Sequence, residues 1–353
     1  MDWRRPRLEW LLIFVPLSVV SDFVLHAELL TFLSAAAAIL PLAGIIGRAT
    51  EQLALHAGQR MGGLLNATFG NVTELIIAVF LILDDEIEVV KASLTGSILG
   101  NMLLVLGLSF LVGGLRHQEQ SYNARAAGVH ASSLILAVIG LLMPTLFART
   151  TGEHGIVERE VVSATVAAVL MVLYALALVF VMVTHEHLFR TPTGDEEPTW
   201  SRARAVALLL VATGLVAVES EVLVGALEPA LEDLGLSKFF VGLILVPIIG
   251  NAAEHSSAVL FAARDKVDVT LEIAIGSSTQ IALFVAPALV FVSLVVGHPM
   301  DFVFTSFEVA AVGLSTLIVA LISLDGRSNW LEGAQLIAAY AIIAISFFFV
   351  RSL

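Results

Sequence analysis

Apolar stretches of about 20 residues, the length that crosses a bilayer as a helix, recur from one end of this chain to the other. In lipid, only a helix or a closed barrel satisfies every backbone hydrogen bond internally. The 353 residues are 58% hydrophobic and only 14% charged, and the mean hydropathy is +0.95. Little of the chain is left for a soluble domain. The sequence therefore predicts an all-α polytopic membrane protein, and the lipid bilayer is its predicted partner.

Composition and missing motifs exclude several classes of protein. A formal net charge of −13 argues against a nucleic-acid partner. The chain has no cysteine, which excludes disulfides, thiolate metal sites and cysteine nucleophiles. The segment "HEHLF" lacks the HExxH spacing of a zinc protease, and His255 beside Ser256 and Ser257 shows no orienting partner. We therefore expect a protein that is not an enzyme and carries no cofactor.

Charge clusters, glycines and prolines divide the chain into about eleven spans. We place them at 8–25, 28–47, 62–83, 89–114, 124–147, 159–184, 203–230, 237–262, 269–296, 302–323 and 331–351. Of the 18 lysines and arginines, 13 then fall on the side of the N-terminus, and the exceptions are Lys91, Arg149, Arg159, Lys238 and Arg351. Because cytoplasmic loops are enriched in these residues, the N-terminus is predicted to be cytoplasmic. The membrane would be the inner or cytoplasmic one in a prokaryote and a vacuolar type in a eukaryote.

An internal repeat appears when the second half is shifted by 180 residues. Residues 62–97 then align with 242–277 without a gap, and 11 of 36 positions are identical. In so apolar a chain, chance would mostly match Ala, Leu and Val. The matches instead include polar residues, namely Asn71 with Asn251 and Glu74 with Glu254. We predict a first span at 1–27, a five-helix repeat at 28–184, a cytoplasmic acidic linker at 185–202 and a second five-helix repeat at 203–353. Since five is odd, the second repeat would be inverted, as in many secondary transporters.

The two matched motifs, "GNVTEL" at 70–75 and "GNAAEH" at 250–255, carry the chemistry. We call them the first and second motif. On a helix, Asn and Glu three apart and Gly and Glu four apart share one face, and Gly70 and Gly250 would let the backbone bend or approach closely. Two converging faces offer carboxylates, amides and carbonyls, an all-oxygen set that suits Ca²⁺ better than Mg²⁺. The sequence therefore predicts Glu74 and Glu254 as Ca²⁺ ligands, with Asn71 and Asn251 beside them.

The same two carboxylates can also bind protons. Like charges and desolvation both disfavour two ionised glutamates in a cavity, whereas a bound Ca²⁺ favours them. Mutual exclusion between Ca²⁺ and H⁺ on one pair of acids is the property that an antiporter with alternating access needs. We therefore predict transported Ca²⁺ and H⁺ as the ionic partners.

Other polar residues in apolar spans complete the predicted site. Ser97, Ser277, Gln280 and His255 are predicted to bind the ion or proton, and Glu221, Glu228 and Asn101 to line an access route. The alternative for glycines and serines is that they let helices pack closely. His130 and Glu308 are isolated in spans and stay open between an interior partner and an interface position.

On these residues the chain resembles the calcium/proton exchanger family of the cation/Ca²⁺ exchanger superfamily. The resemblance covers span two to the C-terminus and rests on "GNVTELI", "GNAAEH", the two Gly-Ser segments after them and "SEVLVGALEP". It implies eleven spans as one plus five plus five, and it implies that Glu74 and Glu254 bind cations and protons, with Asn71, Asn251 and His255 in the same core. Val72 stands where the family more often has alanine, and the acidic linker is reduced to Glu186, Asp195, Glu196 and Glu197.

Alternatives on the same fold are a Na⁺/H⁺, Mn²⁺/H⁺ or Na⁺/Ca²⁺ exchanger. The Ser and Pro signature around the acids of the sodium branch is absent, which favours protons as the coupling ion. A passive cation channel is less favoured, because channel acids usually come from repeated subunits. The sequence leaves open whether the chain forms a homo-oligomer.

Overall fold

The computed structural model describes residues 8–151, 156–189 and 197–349, and nearly all of them are helical. The helices are α1 Leu8–Leu25, α2 Glu28–Ala57, α3 Gln59–Phe69, α4 Val72–Leu83, α5 Ile87–Arg116, α6 Ala124–Thr151, α7 Val157–Thr184, α8 Glu186–Phe189, α9 Arg202–Gly225, α10 Leu227–Leu234, α11 Lys238–Ala262, α12 Val267–Val296, α13 Ser306–Ile322 and α14 Trp330–Phe349. Two short strands, β1 Gln120–Ser121 and β2 Arg327–Ser328, pair antiparallel.

The helices confirm the all-α polytopic class. Nine helices in the described ranges are long and apolar enough to cross a membrane, and α4 and α13 are shorter apolar helices. The arrangement as one plus five plus five stays a prediction. Two predicted spans have different ends: α2 continues to Ala57, and span seven stops at Gly225 before the separate helix α10. Residues 190–196 of the predicted linker lie outside the described residues.

The chain divides into two compact units, and the first comprises residues 1–90 and 195–254. Its centre is the packing of α2 along α9. Leu42, Ile46 and Ala49 of α2 meet Leu209, Ala212 and Val216 of α9 in one buried cluster. Small residues let membrane helices approach closely, and branched residues fill the remaining space. This packing places α9 beside α4, which carries Glu74.

The second unit comprises residues 91–194 and 255–351, and its closest helix pair is α5 with α14. A Cβ added at Gly333 would lie 2.2 Å from the backbone nitrogen of Leu111, and one at Gly107 would lie 2.9 Å from Cγ1 of Ile337. These distances leave no room for a side chain at either glycine. The two backbones therefore approach as closely as small-residue motifs allow.

The same turn follows both motif helices. Asp85 after α4 and Asp265 after α11 each have a φ of 62°, an unusual value for a residue other than glycine. The backbone hydrogen bonds also match, since the Asp85 N–H donates to Ile82 and the Asp265 N–H donates to Ala262. The two aspartates are matched positions of the 180-residue shift, so the sequence similarity has a counterpart in local backbone geometry.

The α5 and α14 packing generates a stability prediction. Gly333→Ala should destabilise the protein by about 1–3 kcal/mol, because the new methyl group overlaps backbone atoms of α5. Gly128→Ala is the matched control, since a Cβ at Gly128 of α6 meets nothing within 4 Å. Thermal unfolding in detergent should show a lowered midpoint only for the first variant. Equal midpoints for the two variants would contradict the close packing.

Candidate functional site

The first motif lies at a break between two helices. Helix α3 ends at Phe69, Gly70 and Asn71 form a turn, and α4 begins at Val72. The predicted span at 62–83 is therefore divided between two helices, with a bend at Gly70 of the kind this glycine was expected to allow. The helical spacing of Gly70, Asn71 and Glu74 does not hold across this turn. Glycine and asparagine both disfavour a helix relative to alanine, and here they stand together. The break places Glu74 in the first turn of α4, where free N–H groups and the helix dipole favour a negative charge.

The second motif lies inside a helix that continues through it. A π-helical segment, Val241–Leu245, precedes the α-helical part of α11, Val246–Ala262, and this part contains Gly250, Asn251 and Glu254. The predicted helical spacing therefore holds for this motif. The matched sequences thus adopt different backbones, bent in the first motif and continuous in the second.

The first motif meets residues 250–254 of the second motif within the first unit. A Cβ built on Gly250 would lie 3.0 Å from Cγ and 3.5 Å from Cδ of Glu74. The bare backbone at Gly250 is what allows the Glu74 side chain to lie against α11. The Asn251 side chain is a polar neighbour of the Glu74 carboxylate, and the charge of Glu74 acts on Glu254.

Burial makes an ionised Glu74 carboxylate energetically unfavourable. Both of its oxygens are buried, and neither has a hydrogen-bond partner of normal geometry among the described residues. Asn71 and Asn251 are 4% and 1% exposed. A buried carboxylate without a partner costs several kcal/mol. This position therefore calls for a proton or a cation.

The remaining predicted ligands lie in the second unit. Nε2 of His255 is 3.0 Å from Oδ1 of Asn101, which is 1% exposed and belongs to the π-helical segment Gly100–Val105 of α5. Ser97 on α5 and Ser277 on α12 are buried, and Gln280 is half-buried just before another π-helical segment, Ile281–Val285. π-Helical segments often mark functional positions. The ligand roles of these residues stay predictions.

Two of the three predicted access residues, Glu221 and Glu228, are exposed, whereas Asn101 is buried. Glu221 lies on the exposed surface of α9. Glu228, in the first turn of α10, forms an ion pair with Lys238, and Lys238 also contacts Glu86 at 2.6 Å. The hydrogen bond and the charge of Lys238 lower the pKa of Glu228 from its ordinary value. Glu228 is therefore engaged with a cationic side chain in this conformation.

Two polar features of the second unit show what sequence reasoning missed. Glu308 forms a capping box with Thr305 at the start of α13 and accepts a hydrogen bond from Thr95 at 3.1 Å. The pattern "TSFE" carried that signal. His130 pairs with Glu272 at 3.1 Å, and no local pattern indicates this pair because it depends on which helices become neighbours.

The described residues hold no cluster of three or more acidic or histidine side chains suited to a metal ion. Among the described residues, the carboxylates that the paired motifs offer a cation are those of Glu74 and Glu254. Amide oxygens, backbone carbonyls or water would supply the remaining ligands, which is ordinary chemistry for Ca²⁺.

Long apolar helices and a buried pair of acidic motifs are features of a membrane cation exchanger. The sequence profile described as sodium/calcium exchanger protein matches residues 27–183 and 204–349. The chain is 46% identical to a protein named Ca(2+)/H(+) antiporter from Aphanothece halophytica, with 96% of this chain and 95% of that protein covered. It is 47% identical to a protein of the same name from Synechocystis sp., with 96% of both chains covered. The solved structure of native YfkE shares 40% identity and a TM-score of 0.85, with 98% of this chain and 100% of that chain covered.

The chain belongs to the sodium/calcium exchanger family, and these relatives confirm the resemblance to its calcium/proton branch.

The unpartnered carboxylate generates a second stability prediction. At mildly alkaline pH and without Ca²⁺, Glu74→Gln should stabilise the protein by about 1 kcal/mol or more, because it removes a buried charge that has no partner. Glu86→Gln is the matched control in the same unit and should destabilise it, since it weakens the ion pair with Lys238. The unfolding midpoints in detergent should move in opposite directions. A Glu74→Gln protein less stable than wild type would mean that this carboxylate makes stabilising contacts.

Proposed function

We propose that this chain is a Ca²⁺/H⁺ antiporter that exports Ca²⁺ from the cytoplasm in exchange for protons. The observation that carries the proposal is the Glu74 carboxylate, which is buried against Gly250 beside Asn251 and has no hydrogen-bond partner of normal geometry among the described residues. The charge of Glu74 also acts on Glu254. Relatives at 46% and 47% identity, named Ca(2+)/H(+) antiporter and matched over nearly their whole length, support the choice of ions.

Exchange follows from competition at the two carboxyl groups. Protons taken up from the far side neutralise Glu74 and Glu254 while no cation is bound. Ca²⁺ from the cytoplasm then binds only as the protons leave, because two negative charges are needed to offset the desolvation of a divalent cation. One Ca²⁺ therefore replaces up to two protons, and neither ion crosses without the other.

Neighbouring groups complete the proposed coordination. Amide oxygens of Asn71 and Asn251 and carbonyls at the Gly70 break are hard ligands of the kind Ca²⁺ accepts. A helix end leaves carbonyls outside the helical pattern, so the break supplies ligands that a continuous helix would not. Ser97, His255, Ser277 and Gln280 remain proposed as further ion or proton ligands, and Glu221, Glu228 and Asn101 as access residues.

The proposed transport cycle is alternating access by two inverted repeats, residues 28–184 and 203–353, with a cytoplasmic N-terminus and a first span at 1–27. Each half would present its motif from one side of the membrane, as in other carriers with inverted repeats. The membrane would be the cytoplasmic one in a prokaryote or a vacuolar type in a eukaryote.

Transport assays test this function directly. Everted vesicles should take up ⁴⁵Ca²⁺ when an acidic-inside pH gradient is imposed, and Glu74→Gln and Glu254→Gln should each abolish that uptake because each removes a charge needed for Ca²⁺. Glu88→Gln is the matched control, since Glu88 is an exposed acid outside the motifs. It should leave uptake unchanged.

The same vesicles distinguish the alternatives. Uptake that follows a Na⁺ gradient and ignores the pH gradient would establish sodium coupling. Uptake that survives both motif substitutions would place the site elsewhere. Uptake without any gradient dependence, at rates that do not saturate, would indicate a channel.

The contact at Gly250 gives a second functional prediction. Gly250→Ala should lower the initial rate at subsaturating Ca²⁺ about tenfold or more, because the added methyl group displaces Glu74 from its position. Gly214→Ala on α9 is the control, since a Cβ there meets nothing within 4 Å. Equal rates for the two variants would show that the position of Glu74 against α11 is not required.

A further inference from the structure

Glu219 on α9 is a buried acid that the proposed exchange does not use. It has no exposed surface, and it lies in the first unit, where α9 packs against α1, α2 and α4. Its one hydrogen-bond partner in the described part of the chain is the hydroxyl of Ser18 on α1, whose oxygen lies 3.0 Å from Oε1. The other carboxyl oxygen, Oε2, is buried and has no partner there.

The single hydroxyl hydrogen of Ser18 bears on the protonation state of Glu219. The Ser18 oxygen lies 2.8 Å from the carbonyl oxygen of Val15 as well as 3.0 Å from Oε1 of Glu219. A serine hydroxyl has one hydrogen, and a carbonyl oxygen can only accept. If Ser18 donates to Val15, the hydrogen of the second bond must come from Glu219. An ionised Glu219 would have to share the one Ser18 hydrogen with the Val15 carbonyl.

Among the described residues, no cationic side chain offsets a charge at Glu219. The titratable side chains on α9 itself are Arg202, Arg204 and Glu221. Those on the helices packed against α9 are Glu9, Asp22, Glu28, Arg48, Glu51, His56, Glu74, Glu228, Glu232 and Asp233. None of them makes a hydrogen bond or ion pair with Glu219 among the described residues. Arg48 pairs with Glu9 at 2.7 Å, and the His56 ring contacts the carbonyl of Trp200.

We propose that Glu219 is a proton-binding site separate from Glu74 and Glu254, and that in this conformation it is protonated and donates a hydrogen bond to Ser18. The ligand of the site is H⁺. Proton binding stabilises the contact between α1 and α9, because the protonated acid completes the chain of bonds from Glu219 through Ser18 to Val15. Loss of the proton at higher pH would place an unpaired charge in an apolar interior and leave these bonds to share the one Ser18 hydrogen.

Infrared spectroscopy tests the proton directly and needs no transport. In a Glu74→Gln/Glu254→Gln background at neutral pH, the C=O stretch of an undissociated carboxylic acid should be present. Adding Glu219→Gln should reduce that band by the absorption of one carboxyl group. An unchanged band would overturn the proposal, because Glu219 would then be ionised. Since both motif glutamates are already replaced, this result is independent of whether the chain exchanges Ca²⁺.

A second variant tests the hydrogen bond between Glu219 and Ser18 and needs neither motif substitution. In the otherwise wild-type chain, Ser18→Ala should shift the Glu219 band to higher frequency, because the acid loses its acceptor. Ser34→Ala is the matched control, since Ser34 is equally buried in the same unit but donates within its own helix to Leu30. A Glu219 band that does not respond to Ser18→Ala would overturn the assignment of Glu219 as the donor.

Discussion

The contact of the Glu74 side chain with the bare backbone at Gly250 is the interaction on which the rest of the candidate site depends. An ionised carboxylate in an apolar interior raises the free energy of the folded protein. The surrounding groups must therefore provide space for the side chain and polar contacts for its charge. The helix break at Gly70 and Asn71 sets Glu74 at the first turn of α4, and the glycine on α11 lets it approach Asn251 and Glu254. Among the described residues, neither oxygen of this buried carboxylate has a hydrogen-bond partner of normal geometry, which leaves it available to a proton or a cation.

Much of the fold was predictable because lipid imposes a length and an apolar composition on every span. The predicted first span at 8–25 is α1, Leu8–Leu25, and the predicted last span at 331–351 overlaps α14, Trp330–Phe349. The break at Gly70 was not predictable from the same reasoning. The second motif carries the same Gly-Asn pair and remains helical, so the neighbours of each pair decide whether the helix breaks. The inverted repeat itself stays a prediction.

The site was predictable to the extent that its residues repeat. Matching Glu74 with Glu254 required no structure, and the first motif does meet residues 250–254 of the second motif within one unit. Contacts between distant segments left no such signal, because they depend on which helices become neighbours. The pair of His130 with Glu272 and the hydrogen bond between Ser18 and Glu219 are of this kind. The capping box that Glu308 forms at the start of α13 is different, because the local sequence pattern "TSFE" predicts it.

The proposed exchange requires that Ca²⁺ and protons exclude each other at Glu74 and Glu254. Proton release on Ca²⁺ binding measures this exclusion, with the purified protein in weakly buffered detergent solution and a pH indicator. Each bound Ca²⁺ should release up to two protons at mildly acidic pH, and release should decline as the pH rises and the carboxyl groups lose their protons beforehand. Ca²⁺ binding of undiminished affinity with no proton release at mildly acidic pH would contradict this exclusion.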